Sequence, residues 1–372
     1  MSTTLNRKLA AISRRFRIPG EFKAGEPYGA GHINDTYRVS YERCRGIRRY
    51  ILQRINGRVF PYPDLIMANI RRVSDHLRSK RVLVGNGPVR PSWLMLIPAV
   101  DGKPYWIDGA GDYWRACLFI EKTYACEVAR HPAQAAGAGT ALGRFFRDLV
   151  DLPGPRLHAT IPDFHHTPKR LAALQAAVQA DPLGRAAGCQ PDIEFALSRE
   201  PRMGLVIQGL AAGTLPERVC HNDTKLNNVL LDKKTHAGVC VVDLDTVMPG
   251  SVLYDFGDLV RSTVNPAVED ETDFSLVQCR LEMFAALCEG YLGAAGSSLT
   301  KGEKELLTTA GPLITLELGM RFLTDYLQGD TYFKTAYSDH NLIRCRGQFR
   351  LVAEMERKAD RMAEIVDRCL YV

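Results

Sequence analysis

From His221 the chain reads His-Asn-Asp-Thr-Lys-Leu-Asn-Asn-Val-Leu-Leu-Asp, followed by Val-Val-Asp-Leu-Asp at 241–245 and Tyr-Asp-Phe-Gly-Asp at 254–258. No other stretch restricts the possible folds as much. Val229 to Leu231 and Val239 to Val242 are short apolar runs separated by polar residues, the pattern of a β-hairpin. A hairpin turns the chain back on itself, so Asn228 before the first strand and Asp243 after the second are expected to lie close together. Asp223 stands five residues before Asn228. A lone Asp in a loop is ordinarily a turn or cap residue. Taken together, a carboxylate that can orient a hydroxyl proton and two hard oxygen donors are the parts that phosphoryl transfer needs.

The remainder of the sequence sets the frame for that site. With 372 residues the chain is long enough for two domains or one two-lobed unit. The net charge of +6 is modest and the basic residues are scattered. That argues against nucleic acid as a partner, because such binders cluster their charge. No apolar run reaches the roughly 18 residues of a membrane span, so no membrane partner is expected. The N-terminus lacks the apolar core of a secretory signal. Ten cysteines occur without a C-x-x-C pair, several within apolar strings. They read as buried free thiols in a reducing compartment, and the expected location is cytoplasmic.

Periodicity divides the chain near residue 121. Before it, Leu5, Leu9, Ile12 and Phe16 mark an amphipathic helix. Strand-like segments follow at 28–41, 49–55, 93–99, 104–107 and 113–121, with one helix at 64–77. After it, helical patterns dominate at 133–150, from Thr167-Pro168 onward, at 274–292, 301–327 and 345–369. The expectation is an α+β fold. A small, mainly antiparallel-sheet lobe spans 1–121, and a larger helical lobe carrying the catalytic hairpin spans 122–372. His165-His166 reads as loop.

H-x-D-x-x-x-x-N followed by Val-Val-Asp-Leu-Asp resembles the aminoglycoside phosphotransferase and choline kinase superfamily, which shares the protein-kinase-like fold. Blocks at 31–37, 51–56, 223–229, 243–250 and 321–333 look more specifically like the N-acetylhexosamine 1-kinases. The resemblance implies ATP and magnesium as cofactors, with Asp223 as the catalytic carboxylate and Asn228 and Asp243 as magnesium ligands. Asp245 is a further candidate ligand. Gly29 and Gly31 would open the loop over the nucleotide, where glycine lets backbone approach phosphate. Arg54 would hold the nucleotide phosphates from the third strand, and Lys225 would neutralise phosphate charge. Protein kinases pair the third-strand base with a helical Glu. The helix at 64–77 contains none, which leaves Asp64, Asn69 or Asp75 as substitutes or the pair absent. Asp255 would brace the catalytic loop from the following helix.

The segment from Leu316 to Phe333 carries the acceptor side. Leu316, Met320, Leu323 and Leu327 form one helical stripe, with Arg321 and Asp325 on the other side. Spacing alone also suits a solvated ion pair. The resemblance makes them a polar wall for sugar hydroxyls and adds Tyr332, His32 and Asp35. The expected partners are thus a nucleotide and a small sugar. The expected reaction is phosphorylation of the anomeric hydroxyl of N-acetylglucosamine or N-acetylgalactosamine. Two alternatives stand beside it: a kinase for another sugar, an aminoglycoside, choline or homoserine, and a catalytically dead kinase-like binding protein.

Overall fold

The computed structural model describes residues 3–29, 33–44, 46–81 and 92–370. Gly31 and His32, expected in the loop over the nucleotide, lie outside the described residues. The chain forms two compact units. Unit 1 comprises 1–123 and two later segments, 151–161 and 240–248. Unit 2 holds the rest. The single division expected at residue 121 is thus crossed twice more, and Asp243 and Asp245 belong with the N-terminal sheet.

Unit 1 opens with α1 (Thr3–Ser13), then β1 (Glu21–Pro27), β2 (Asp35–Arg43), β3 (Gly46–Arg54), α2 (Pro63–Arg81), β4 (Leu96–Ile97), β5 (Trp106–Ile107) and β6 (Tyr113–Leu118). The strands make one six-stranded sheet in the order β1-β2-β3-β6-β4, with β5 also on β6. Every pairing is antiparallel. Alternation decides what each face does. Val39, Tyr41, Tyr50 and Leu52 form a closed apolar core with Leu9, Ile12 and Phe16 from the α1 region. The N-terminal amphipathic segment is therefore a lid on the sheet.

Chain passes through β7 (Thr123–Tyr124) into unit 2. There follow α3 (Pro132–Leu149), α4 (Thr167–Ala180), α5 (Gln190–Leu197), α6 (Glu200–Met203), α7 (Leu205–Ala211), β8 (Arg218–Cys220), β9 (Val229–Asp232) and β10 (Gly238–Val241). After β11 (Met248–Gly250) come α8 (Val252–Val264), α9 (Leu281–Ala295), α10 (Lys301–Glu305), α11 (Leu307–Leu327), α12 (His340–Arg357) and α13 (Ala359–Leu370). Two long helices expected from periodicity are each broken, at Leu306 and at Lys358, while their apolar stripes run on through the breaks. The stripe Leu316, Met320, Leu323 and Leu327 is buried in one cluster with residues of α4, α5 and α12.

The Gly/Ala run in α3 has a packing purpose. A methyl group on Gly139 would fall 2.3 Å from the Leu287 carbonyl oxygen, and one on Gly290 2.2 Å from that of Ala136. Only glycine permits α3 and α9 to cross this closely. All ten cysteines are free thiols, seven of them buried. Among the described residues no helix is long and apolar enough to cross a membrane.

Candidate active site

The loop after β8 is held from α8. Ser251 caps that helix, its side chain accepting from the Leu253 N–H, and Asp255 lies in the first turn, where the helix dipole favours a carboxylate. Asp255 accepts hydrogen bonds from the His221 N–H (2.8 Å) and the Asn222 N–H (2.7 Å). Thr224 donates its hydroxyl to the Asp255 carbonyl, and the Leu226 N–H donates to Ser262 Oγ. This is the bracing role that the sequence assigned to Asp255. Burial pushes the Asp255 carboxyl up to about 6, against the pull of the His221 imidazole and the two N–H groups.

This brace presents Asp223. Its side chain is 32% exposed and lies 3.2 Å from Lys225 Nζ. Asn228 Nδ2 donates to both the Asp223 carbonyl (2.8 Å) and the Asp223 carboxylate (3.1 Å). Burial works against charge on Asp223, but Lys225 outweighs it and holds the carboxyl below its ordinary value. The result is an ionised carboxylate at a loop tip. Asn228 spends its Nδ2 on Asp223, so its amide oxygen is the atom that a hard ion would take. Asp243 is exposed and left-handed (φ 62°) at the end of the β10 strand. Both oxygen donors suit the hard ion.

Asp245 does not. Its side chain is 4% exposed, one oxygen is ion-paired with the buried Arg115, and the other accepts from Asn34 Nδ2 at 2.6 Å. Buried and bound on both oxygens to N–H donors, Asp245 serves the architecture in this structure. Burial opposes the charge on Arg115, while Asp245 more than restores it and raises the guanidinium's pKa.

Register separates Arg115 from Arg54. Thr36, Gln53 and Arg115 stand in one cross-strand row of β2, β3 and β6. Gln53 donates to Thr36 Oγ1 and accepts from Arg115 Nε, each at 2.9 Å. Arg54 is one residue further and so projects from the opposite face, in the row with Asp35 and Trp114. There its guanidinium is paired with both Asp35 and Asp112. In this structure Arg54 and Asp35, expected on phosphate and on sugar, pair with each other. None of the helical substitutes pairs with Arg54 either. Asn69 binds the backbone of His158 and Val247, and Asp75 pairs with Arg71 and Arg78. Gly29 is left-handed (φ 80°), with open space around its Cα. Arg115 and Asn34 were missed by sequence reasoning. The signal for Arg115 was a single charge inside the otherwise apolar Ala116-Cys117-Leu118 strand.

On the acceptor side, Asp325 is also reassigned. It is 4% exposed and accepts from the N–H groups of Thr331, Tyr332 and Phe333 and from Asn341 Nδ2. It shapes the loop after α11 and offers nothing to a ligand. That loop puts Tyr332 and Phe333 around Arg321. The guanidinium lies 5.7 Å from the Phe164 ring, 5.7 Å from Tyr332 and 5.5 Å from Phe333, and Arg321 Nη2 donates weakly to the Tyr332 hydroxyl at 3.4 Å. Tyr332 is 68% exposed. Burial and the adjacent Arg321 together lower the pKa of Arg170.

The pair His165-His166, expected as loop, makes specific contacts. In the structure His166 is the cap of α4, accepting from the Lys169 N–H. Thr167 donates its hydroxyl to Glu317 (2.6 Å), and His165 bridges Glu317 and the Asn222 carbonyl, each at 2.8 Å. Contacts therefore run from Arg321 through Phe164 and His165 to the residue preceding Asp223.

Comparison with known proteins gives the family and the fold. A profile of the phosphotransferase enzyme family matches residues 24–292. The fold is similar to that of a microcompartment-associated aminopropanol kinase (TM-score 0.60, 14% identity, covering 97% of this chain and 99% of that one). A spectinomycin phosphotransferase determined with ADP and spectinomycin gives a TM-score of 0.59 at 12% identity over 97% and 98% of the two chains. The choline kinase of Streptococcus pneumoniae gives 0.51 at 12% identity over 94% and 98%. At such identities the likeness speaks for the fold, which is the kinase-like α+β fold expected from the sequence. The family match covers most of the chain, and the protein belongs to the phosphotransferase enzyme family.

Proposed function

We propose that this protein transfers the γ-phosphoryl group of ATP to the anomeric hydroxyl of an N-acetylhexosamine, giving the sugar 1-phosphate. Asp223 receives the hydrogen bond of the acceptor hydroxyl and aligns it for in-line attack. Lys225, on the same loop, offers positive charge to the group in transfer. Asn228 and Asp243 supply oxygens that suit magnesium, which would neutralise phosphate charge. Gly29 offers backbone to the nucleotide, and the resemblance adds Gly31. Arg321 and Tyr332 serve the acceptor, and the resemblance adds His32.

One observation carries the choice of acceptor: the wall around Arg321 is cationic and aromatic. Arg170 adds a second guanidinium within electrostatic reach of Arg321 and Tyr332. Both oxygens of the buried Glu317 are taken by His165 and Thr167, and Asp325 is sealed in its loop. A cationic acceptor would meet like charge here. A neutral polyhydroxyl compound finds donors for its oxygens and ring faces for its apolar side.

Amino alcohols are the second reading, because aminopropanol and choline kinases share the fold. The test is ADP release over N-acetylglucosamine, N-acetylgalactosamine, other sugars, choline, ethanolamine, aminopropanol, homoserine and aminoglycosides. Turnover of an N-acetylhexosamine to an acid-labile 1-phosphate is expected. No turnover with any N-acetylhexosamine overturns the assignment. No ADP release with any acceptor would favour a binding protein without catalysis.

A further inference from the structure

We propose that His165 is a positioning residue for phosphoryl transfer: a buried imidazolium that fixes the Asn222–Asp223 peptide by hydrogen bonding the Asn222 carbonyl. This rests on the reading of Asp223 as the carboxylate that orients the acceptor.

Two features of the geometry carry it. The first is which atoms face the ring. Nε2 lies 2.8 Å from a carbonyl oxygen, which can only accept, and Nδ1 lies 2.8 Å from Glu317 Oε1. With oxygen on both sides, the ring uses two N–H groups, and a ring with two N–H groups is charged. Glu317 supplies the counter-charge, and its other oxygen takes the Thr167 hydroxyl. The pair is enclosed, with side chains 9% and 1% exposed. The Tyr254 ring stacks on the imidazole at 5.0 Å, an arrangement that also favours a cation.

The second is what the ring holds. Asn222 adopts the left-handed conformation at φ 65°, a turn that Asn tolerates better than most residues and that directs its carbonyl to His165. Its N–H goes to Asp255. The next peptide unit is gripped at both ends: the Asn222 carbonyl by His165, and the Asp223 N–H by His221 Nδ1 at 3.2 Å. That peptide plane sets where the Asp223 carboxylate points. Removing the His165 contact frees one end of it and leaves a buried carbonyl without its donor.

The charged and titratable groups facing His165 are Glu317 and Arg321 from α11 and Tyr254 and Asp255 from α8, with Arg170 of α4 facing Glu317. Burial and Arg321 disfavour charge on the ring, but Glu317 outweighs them and the pKa is raised. The sign follows: the clamp is complete below the His165 titration, and kcat falls as pH rises through it.

The test uses the full chain. In ¹⁵N-histidine-labelled protein, the ring assigned by its loss in His165→Gln is expected to be doubly protonated at neutral pH. His165→Gln and Glu317→Gln are expected to lower kcat by about tenfold to a hundredfold, the scale of a misplaced catalytic group. The KM for ATP should hold, and His165→Gln should abolish the alkaline limb of kcat. A singly protonated ring at neutral pH overturns the proposal, and that readout needs no folded variant of reduced activity. A folded His165→Gln protein with unchanged kcat and pH profile overturns it too. Asp223→Asn separates the layers: if that variant is inactive, an unchanged His165→Gln sinks the clamp alone. If Asp223→Asn is fully active, the catalytic reading beneath it goes as well.

Discussion

Two of the Asp–cation pairs in this molecule are built from similar residues and differ sharply in exposure. Asp223 and Lys225 sit on a loop with side chains 32% and 39% exposed. Asp245 and Arg115 lie beneath a sheet at 4% and 1%. In the first pair the lysine lowers the carboxyl pKa without consuming every lone pair, so the group stays available to a ligand. In the second each oxygen has a protein partner, and the pair joins β6 to the 240–248 segment that also carries Asp243. An exposed pair with spare valence can do chemistry; a sealed one can only hold shape.

Substitution should separate the two sharply. Asp223→Asn is expected to reduce the rate of ADP formation by about a hundredfold to ten-thousandfold, the usual weight of a group that handles the reacting proton. ATP binding and the denaturation midpoint should be unmoved; a fully active variant would break the comparison from one side. Asp245→Ala should do the reverse. It strands a buried guanidinium, and breaking such a pair costs about 3–5 kcal/mol. Urea unfolding of Asp245→Ala against an Arg115→Met, Asp245→Leu double variant checks this. If the double variant is no more stable than the single one, the cost is not an uncompensated charge.

Asp255 adds a pH dimension. Its carboxyl is raised to about 6 in the folded protein from an ordinary 3.8. Between those values the native state binds more protons than the unfolded chain, so this group's contribution to stability falls as pH rises. The swing is about 3 kcal/mol at roughly 1.4 kcal/mol per unit. Asn mimics the protonated acid, and Asp255→Asn should remove that slope. Parallel stability curves for the two proteins between pH 4 and pH 7 would contradict it.

The smallest effect belongs to Arg54. Its pairs with Asp35 and Asp112 are more than a third exposed, and surface pairs contribute about 0–1 kcal/mol. Arg54→Gln should shift stability by no more than that and leave the KM for ATP within about twofold. A large rise in that KM would restore the phosphate role and show that Arg54 exchanges its partners on binding.

Within His221 to Asp258 the expected hairpin strands and following helix are found, because each is a local feature. Catalytic loop, hairpin and bracing helix are adjacent in sequence, and each is marked by its own residues: a strand pattern, a Ser251 cap, an Asp in the first turn. The partners found for Arg54, Asp35, Asp245 and Asp325 were not legible in the sequence, for one reason. Each residue was assigned by type and neighbourhood, whereas its partner comes from a strand or loop that sequence does not show to be in contact. His165 was passed over for the same reason, because Glu317 and Asn222 are distant along the chain.

By itself, then, the sequence determined the order of elements, the α+β class and the Asp223–Asn228–Asp243 pattern, because propensity, alternation and short-range spacing are properties of consecutive residues. Tertiary structure alone decided which charges are spent. A one-residue step along β3 sends Arg54 and Gln53 to opposite faces, and burial makes an ion pair permanent only where water is excluded. Whether a charged side chain is a tool or a strut depends on register and solvent access, and both are set by contacts between residues far apart in the chain.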